Sequence, residues 1–121
     1  MIRYTPEHMW VQLEDGSAAA TVGITRHAQE TLGDIVMIEL PALGRQAQSA
    51  AVGVVESSKT AADLHMPATG DIVERNEALV DRPELLNADP MGAGWVFKLA
   101  SVEPGQLEAL MDESAYAAFT G

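Results

Sequence analysis

The chain has 121 residues, 47% of them hydrophobic and 21% charged, and it contains no cysteine. Eighteen acidic against seven basic residues leave a formal charge of −11, which repels phosphate backbones and argues against nucleic-acid binding. Without cysteine there are no disulfides, no thiolate catalysis and no Cys-based metal sites.

No apolar run approaches the roughly 18 residues of a membrane helix. The opening segment MIRYTPEHMW has neither the basic and apolar regions of a signal peptide nor the Arg-rich character of a transit peptide. The expectation is one domain over residues 1–121, soluble and cytoplasmic, with no membrane association. The acidic surface suits encounters with partners that carry basic patches.

In chain order, MWVQLEDGSAAATVGIT reads as two strands around an Asp15-Gly16 hairpin turn. Thr25 caps a short helix over TRHAQETLGD, and Gly33 ends it. DIVMIEL is a strand stopped by Pro41. Residues 43–48 read as polar loop. Residues 51–57 form the next strand and 61–66 its return, followed by a turn at PATGD and a short strand at IVERN. DRPELLNADPMGAG reads as a loop with one helical turn, and WVFKLAS as a strand. Leu107, Leu110 and Met111 recur at helical spacing, and Asp112 caps a second short helix. Gly33-Asp34-Ile35-Val36 is echoed by Gly70-Asp71-Ile72-Val73, with Arg45 and Arg82 at the same spacing. This pattern points to two similar strand-turn units in a pseudo-symmetric β-sandwich, with the hairpin between them projecting outward.

The chemistry turns on GVVESSKTAADLHMP, which holds one of only two lysines. Gly53 to Thr60 resembles a phosphate-binding loop, the basis for a small nucleotide-binding enzyme. The second glycine is missing, Glu56 would sit in the anion cradle, and no helix follows. A Ser-Lys nucleophile pair from Ser57 or Ser58 with Lys59 has the wrong spacing, and adjacent strand positions point to opposite faces. His8, His27 and His65 have no metal-ligand spacing and read as surface or internally satisfied histidines. Lys98 in WVFKLA reads as an outward-facing strand lysine.

Lys59 at a hairpin tip is suited to acylation by biotin or lipoate. Biotinyl sites resemble Met-Lys-Met, whereas the flanks here are Ser58 and Thr60. Lipoyl sites resemble E-x-x-K-x-x-x-D with a glycine eleven residues past the lysine, and Glu56, Lys59, Asp63 and Gly70 meet every element. An ordinary polar hairpin with an unmodified lysine is the simpler alternative, and Ser-Lys itself carries little turn chemistry.

From Tyr4 to about Phe119 the sequence resembles the glycine cleavage system H protein family. The similarity is carried by YTPEHMWVQLE, ATVGITRHAQETLGDIVMIELPALG, GVVESSKTAADLHMPATGDIVERN and PELLNADPMGAGWVFKL. It implies a mainly β, barrel-sandwich hybrid (lipoyl-domain-like) fold with short flanking and C-terminal helices. It implies lipoate attached covalently to Lys59, and a non-catalytic carrier, not an enzyme. Such a carrier shuttles the aminomethyl intermediate of glycine cleavage between glycine decarboxylase (P protein), aminomethyltransferase (T protein) and dihydrolipoyl dehydrogenase (L protein). A lipoate ligase or octanoyltransferase would load it, and it would act as a monomer. Glu56 and Asp63 match positions read by lipoylating enzymes, and Gly70 matches a framework position. His8 and Trp10 match the region where the loaded arm shelters.

The chain departs from the pattern at Met9, where the family has a glutamate expected to help hold the charged aminomethyl end. It departs also at Ser58, in place of Val, and at His65 and Met91, in place of Tyr. Methionine supplies neither charge nor a strong acceptor. The alternative is an H-like lipoyl carrier of another pathway, in sulfur metabolism or lipoyl relay.

Overall fold

The structure is a computed structural model that describes residues 1–14 and 19–121. The chain runs β1 (Ile2–Tyr4), β2 (Met9–Leu13), β3 (Ala20–Ile24), α1 (Arg26–Leu32), β4 (Ile35–Glu39), β5 (Gly44–Gln46), β6 (Ala51–Ser57), β7 (Ala61–His65), β8 (Gly70–Arg75), α2 (Ala78–Asp81), α3 (Glu84–Ala88), β9 (Phe97–Ala100), α4 (Pro104–Glu108) and α5 (Glu113–Thr120). The strands form a six-stranded sheet in the order β1-β2-β3-β9-β8-β5 and a three-stranded sheet in the order β4-β6-β7. The fold is mainly β, as the sequence led us to expect.

Inward-facing residues of both sheets share one apolar core. Val11, Val22, Phe97, Leu99 and Ile72 come from the larger sheet, and Ile35, Ile38, Val55 and Leu64 from the smaller. Burying such side chains is worth about 1.5–3 kcal/mol each before chain entropy is counted. A second cluster joins distant segments: the rings of Tyr4 and Tyr116 stack with centroids 4.6 Å apart, beside Trp10. Main-chain bonds between Tyr4 and Met111, at 2.8 and 3.1 Å, hold the two segments together.

Several local expectations hold. Thr25 caps α1 by accepting from the Ala28 amide, and Gly33 ends it at φ 88°, a value in the left-handed region that glycine adopts without a Cβ clash. Asp112 caps α5 through the Ala115 amide. The expected Asp15-Gly16 turn lies outside the described residues, although β2 and β3 pair antiparallel with Leu13 opposite Ala20.

Two readings need correction. Residues 44–46 are not loop but strand β5, pairing Gly44, Arg45 and Gln46 with Ile72, Asp71 and Gly70. This short edge strand has no apolar alternation to betray it. It is held by backbone pairing and an exposed Arg45–Asp71 ion pair at 3.4 Å. The 81–94 segment, read as loop with one helical turn, does hold one, α3; what the reading lacked is a second short helix, α2, which runs into the segment from Ala78. They are anchored by the fully buried Leu79 and Leu86 and are too short to show a helical period.

The Gly-Asp-Ile-Val echo also resolves. Each copy leads into a strand, β4 in one sheet and β8 in the other, with Ile35 and Ile72 both 2% exposed. The arginine correspondence does not extend it: Arg45 lies in β5, whereas Arg82 follows α2 and pairs with Glu84. Among the described residues no helix is long and apolar enough to cross a membrane.

Candidate functional site

Lys59 stands at the tip of the β6–β7 hairpin and is exposed. Ser57 shapes this tip. Its hydroxyl oxygen accepts from the amides of Lys59 (3.3 Å) and Thr60 (3.1 Å), and its own amide donates to the Thr60 carbonyl at 2.7 Å. This is a serine-centred turn. The turn chemistry that Ser58-Lys59 lacks comes from the residue before them. Beyond the tip, the Ser58 amide donates to the Asp34 carbonyl at 3.1 Å, tying the hairpin to the end of α1.

Asn87, which the sequence did not single out, fixes that attachment. Its side chain accepts from the Ile35 amide (2.8 Å) and donates to the Ile35 carbonyl (3.0 Å) and the Asp34 carboxylate (3.0 Å). An amide side chain thereby pairs with the β4 backbone much as a neighbouring strand would. Arg26 of α1 closes the brace by donating to the carbonyls of Asn87 and Ala88.

The lysine stem lies along Gly33. A Cβ built on Gly33 would stand 3.2 Å from Lys59 Cε and 3.7 Å from Nζ. Among the described residues every ion pair belongs to Arg45, Arg75 or Arg82, so the Lys59 ammonium is unpaired. Lys98, the other lysine, is half-buried with Nζ 4.9 Å over the Trp95 ring, a cation–π contact that engages it.

Next to this hairpin opens a cavity of about 190 Å³ lined by Glu7, His8, His27, Ala28, Thr31, Leu32 and Ala62. Its walls come from the β1–β2 connection (Glu7 and His8), from α1, the helix that Gly33 ends, and from Ala62 of β7, the strand that follows Lys59. The His8 and His27 rings meet with centroids 4.6 Å apart, a juxtaposition their sequence separation hid. Among the described residues no group of three or more His, Asp or Glu is placed to hold a metal ion.

His8 has φ 66°, an uncommon left-handed conformation outside glycine. It is held by its backbone bonds to Thr5 and Thr25 and by Nδ1, 2.7 Å from the Tyr116 hydroxyl. That hydroxyl also meets Thr25 Oγ1 at 2.8 Å. Burial raises the Tyr116 pKa, keeping the phenol protonated. Burial, and then the neighbouring His27, lower the His8 pKa below 6.5. A neutral His8 can accept at Nδ1 from Tyr116, which in turn accepts from Thr25.

The sign of the pH effect follows. The unfolded chain binds a proton near pH 6.5 while the folded chain resists it. The stability contributed by His8 is therefore present above 6.5 and lost as the pH falls toward the lowered folded value. In His8→Asn, a residue that tolerates this backbone, urea midpoints should depend less on pH between about 6.5 and 5 than in the native protein. Identical pH profiles would refute the assignment.

The other expected site residues scatter. Glu56 lies on β6 opposite Ala61 and Met37, and Asp63 lies exposed on β7 opposite Val54. Gly70 opens β8, where a Cβ would sit 3.2 Å from the Ala100 carbonyl oxygen. Trp10 is 2% exposed, donates to the Pro90 carbonyl at 3.0 Å and packs with Tyr4 and Tyr116, and so does not line the cavity. His65 lies on β7, its Nδ1 buried without a partner among the described residues. Residues 53–57 belong to a strand and 61–65 to its return. The helix a phosphate-binding loop requires is not there.

A two-sheet β fold with an exposed lysine on its hairpin tip is a protein of lipoyl-domain-like build. The glycine cleavage H-protein family model matches residues 2–121. A glycine cleavage system H protein from Thermotoga maritima is 51% identical over 120 residues, covering 98% of this chain and 95% of that one. One from Phenylobacterium zucineum is 50% identical over 119 residues, covering 98% and 97%. The crystal structure of a glycine cleavage system H protein from Mycobacterium marinum superposes with a TM-score of 0.87 at 39% identity, covering 99% of this chain and 96% of that one. The chain belongs to the glycine cleavage H-protein family.

Proposed function

We propose that this chain is the lipoyl carrier of the glycine cleavage system, with Lys59 as its attachment residue. The observation that carries the reading is Lys59 itself: exposed, unpaired among the described residues, and laid over a glycine that leaves room for its stem. These features fit the group. Amide formation at Nζ removes the charge, and no ion pair of the described residues is broken by losing it. When bound, lipoate supplies the sulfurs that accept the carbon unit and the electrons, which lets a cysteine-free chain serve dithiol chemistry.

The protein's own residues position the tether. Ser57 holds the tip, Asp34 and Asn87 fix it to α1, and Gly33 keeps the stem's path open. A tethered cargo reaches each docked enzyme at high effective concentration. Those enzymes are glycine decarboxylase, aminomethyltransferase and dihydrolipoyl dehydrogenase, with a lipoate ligase or octanoyltransferase loading the arm. Glu56 and Asp63 are the acidic residues these loading enzymes read.

The test is intact mass after co-expression with a lipoate ligase and lipoate. One lipoyl adduct per chain is expected, and no adduct would overturn the reading. Glu56→Ala should slow lipoylation several-fold with an unchanged unfolding midpoint, since Glu56 makes no ion pair among the described residues. Unchanged lipoylation kinetics would remove Glu56 from the recognition role.

A further inference from the structure

The three-stranded sheet has two outer strands, β4 and β7, and they are finished differently. On β4 the Asn87 side chain accepts from the Ile35 amide at 2.8 Å and donates to the Ile35 carbonyl at 3.0 Å. Helices α2 and α3 pack against the same strand. That edge is covered, as folded proteins ordinarily arrange.

On β7 the register decides which main-chain groups point outward. The Ser57 amide donates to the Thr60 carbonyl at 2.7 Å, so these two residues form a hydrogen-bonded pair. Bonded and non-bonded pairs alternate along an antiparallel ladder. Ala61 lies opposite Glu56, Ala62 opposite Val55 and Asp63 opposite Val54. The amides and carbonyls of Ala61 and Asp63 therefore point away from β6. Among the described residues no hydrogen bond meets them on that side. Both residues are exposed, and the bare stretch begins two residues after Lys59.

A bare edge is a template for another strand, and its chemistry selects which one. A second copy of this chain would set Asp63 and a net charge of −11 against the same, and be repelled. Asp63 and its neighbour Glu56 on β6 belong to no ion pair among the described residues. The methyl group of Ala61 leaves room for close approach. These features fit an extended segment that carries a basic side chain.

We infer that the open edge of β7 is a docking strand for the enzyme that acylates Lys59. An extended segment of that enzyme pairs with the main-chain groups of Ala61 and Asp63, and a basic side chain on it meets the Asp63 carboxylate. Main-chain pairing supplies affinity, and the side-chain contact supplies specificity. Pairing also fixes the register of the strand that follows Lys59, which sets the exposed amine at one distance from the acyl donor. The inference deepens the reading of Lys59 as the lipoylated residue and rests on it.

Proline at Ala61 is the direct test. It removes an outward amide only, at the first residue of an edge strand, where proline is tolerated. With a lipoate ligase, lipoate and ATP, Ala61→Pro should raise the KM for the acceptor chain several-fold, with kcat and the melting point near native. Asp63→Asn should raise KM too and make it less dependent on salt. Hydrogen exchange of the native chain gives a reading independent of any variant's folding. The Ala61 and Asp63 amides should exchange freely in the chain alone and slow at least tenfold when the ligase is bound with a non-hydrolysable lipoyl-adenylate analogue. Equal KM for native and Ala61→Pro chains would overturn the inference, as would unchanged exchange at both amides. Amides already protected in a free chain that sediments as a dimer would assign the edge to a second copy and overturn it as well. Intact mass of the native chain separates the two levels: a missing lipoyl adduct overturns the Lys59 reading and this one together, while a present adduct leaves the β7 edge judged by KM and exchange alone.

Discussion

Replacing Lys59 by arginine should abolish the exchange of bicarbonate with the carboxyl carbon of glycine in a reconstituted system, while leaving the unfolding midpoint unchanged. The guanidinium keeps the positive charge but is too weak a nucleophile to form the amide. Stability should hold because Lys59 is exposed and free of ion pairs among the described residues. Surface changes of that kind usually stay within about 0.5 kcal/mol. Lys98 cannot substitute for it: its ammonium is engaged over Trp95, and it lies on β9 in the other sheet. A lipoyl adduct and residual exchange in Lys59→Arg would sink the assignment and direct attention to Lys98.

The largest effect on stability is expected at Gly53, the residue that gives the hairpin its superficial likeness to a phosphate loop. A Cβ there would stand 2.5 Å from the Glu39 carbonyl oxygen and 3.1 Å from Leu64 Cδ1. The first contact is with backbone, which cannot rotate away. Gly53→Ala must therefore push β6 from the Glu39 end of β4, at a point where the β6–β7 register is already irregular, between Ala51 and Gly53. Overpacking of this kind costs about 1–3 kcal/mol. For a chain of this length that is a melting point lower by roughly 4–12 °C. Gly105→Ala is the control: no heavy atom lies within 4 Å of its Cβ position, and a helical alanine should cost nothing. Equal melting points for the two variants would remove the steric account of Gly53.

The parts legible in the sequence were those written in local chemistry. Thr25 and Asp112 announced helix starts because a cap is a contact over three residues. The β6–β7 hairpin and Lys59 at its tip were legible because apolar runs flank a polar turn. Strand β5 was not, since an exposed edge strand of Gly-Arg-Gln is held by pairing with β8, a partner 26 residues away. The cavity was half legible. The family resemblance directed attention to His8, but only the fold shows that His27 meets it and that Trp10 turns away to Pro90. Asn87 went unseen because an amide that imitates a strand's hydrogen bonds looks, in sequence, like any polar loop residue.

The clasp between the β1–β2 region and α5 divides the molecule into a locally paired part and a part that depends on distant segments. The lysine-bearing hairpin pairs residues such as Glu56 and Ala61, close along the chain, and closing so short a loop costs little entropy. The contact that steadies His8 joins residues 108 apart, and closing so long a loop costs more chain entropy. The presentation of the acceptor lysine thus depends on local pairing, and the wall of the cavity beside it on a clasp between distant segments. An enzyme that reads only the hairpin needs the first alone, whereas one that needs the finished cavity depends on both.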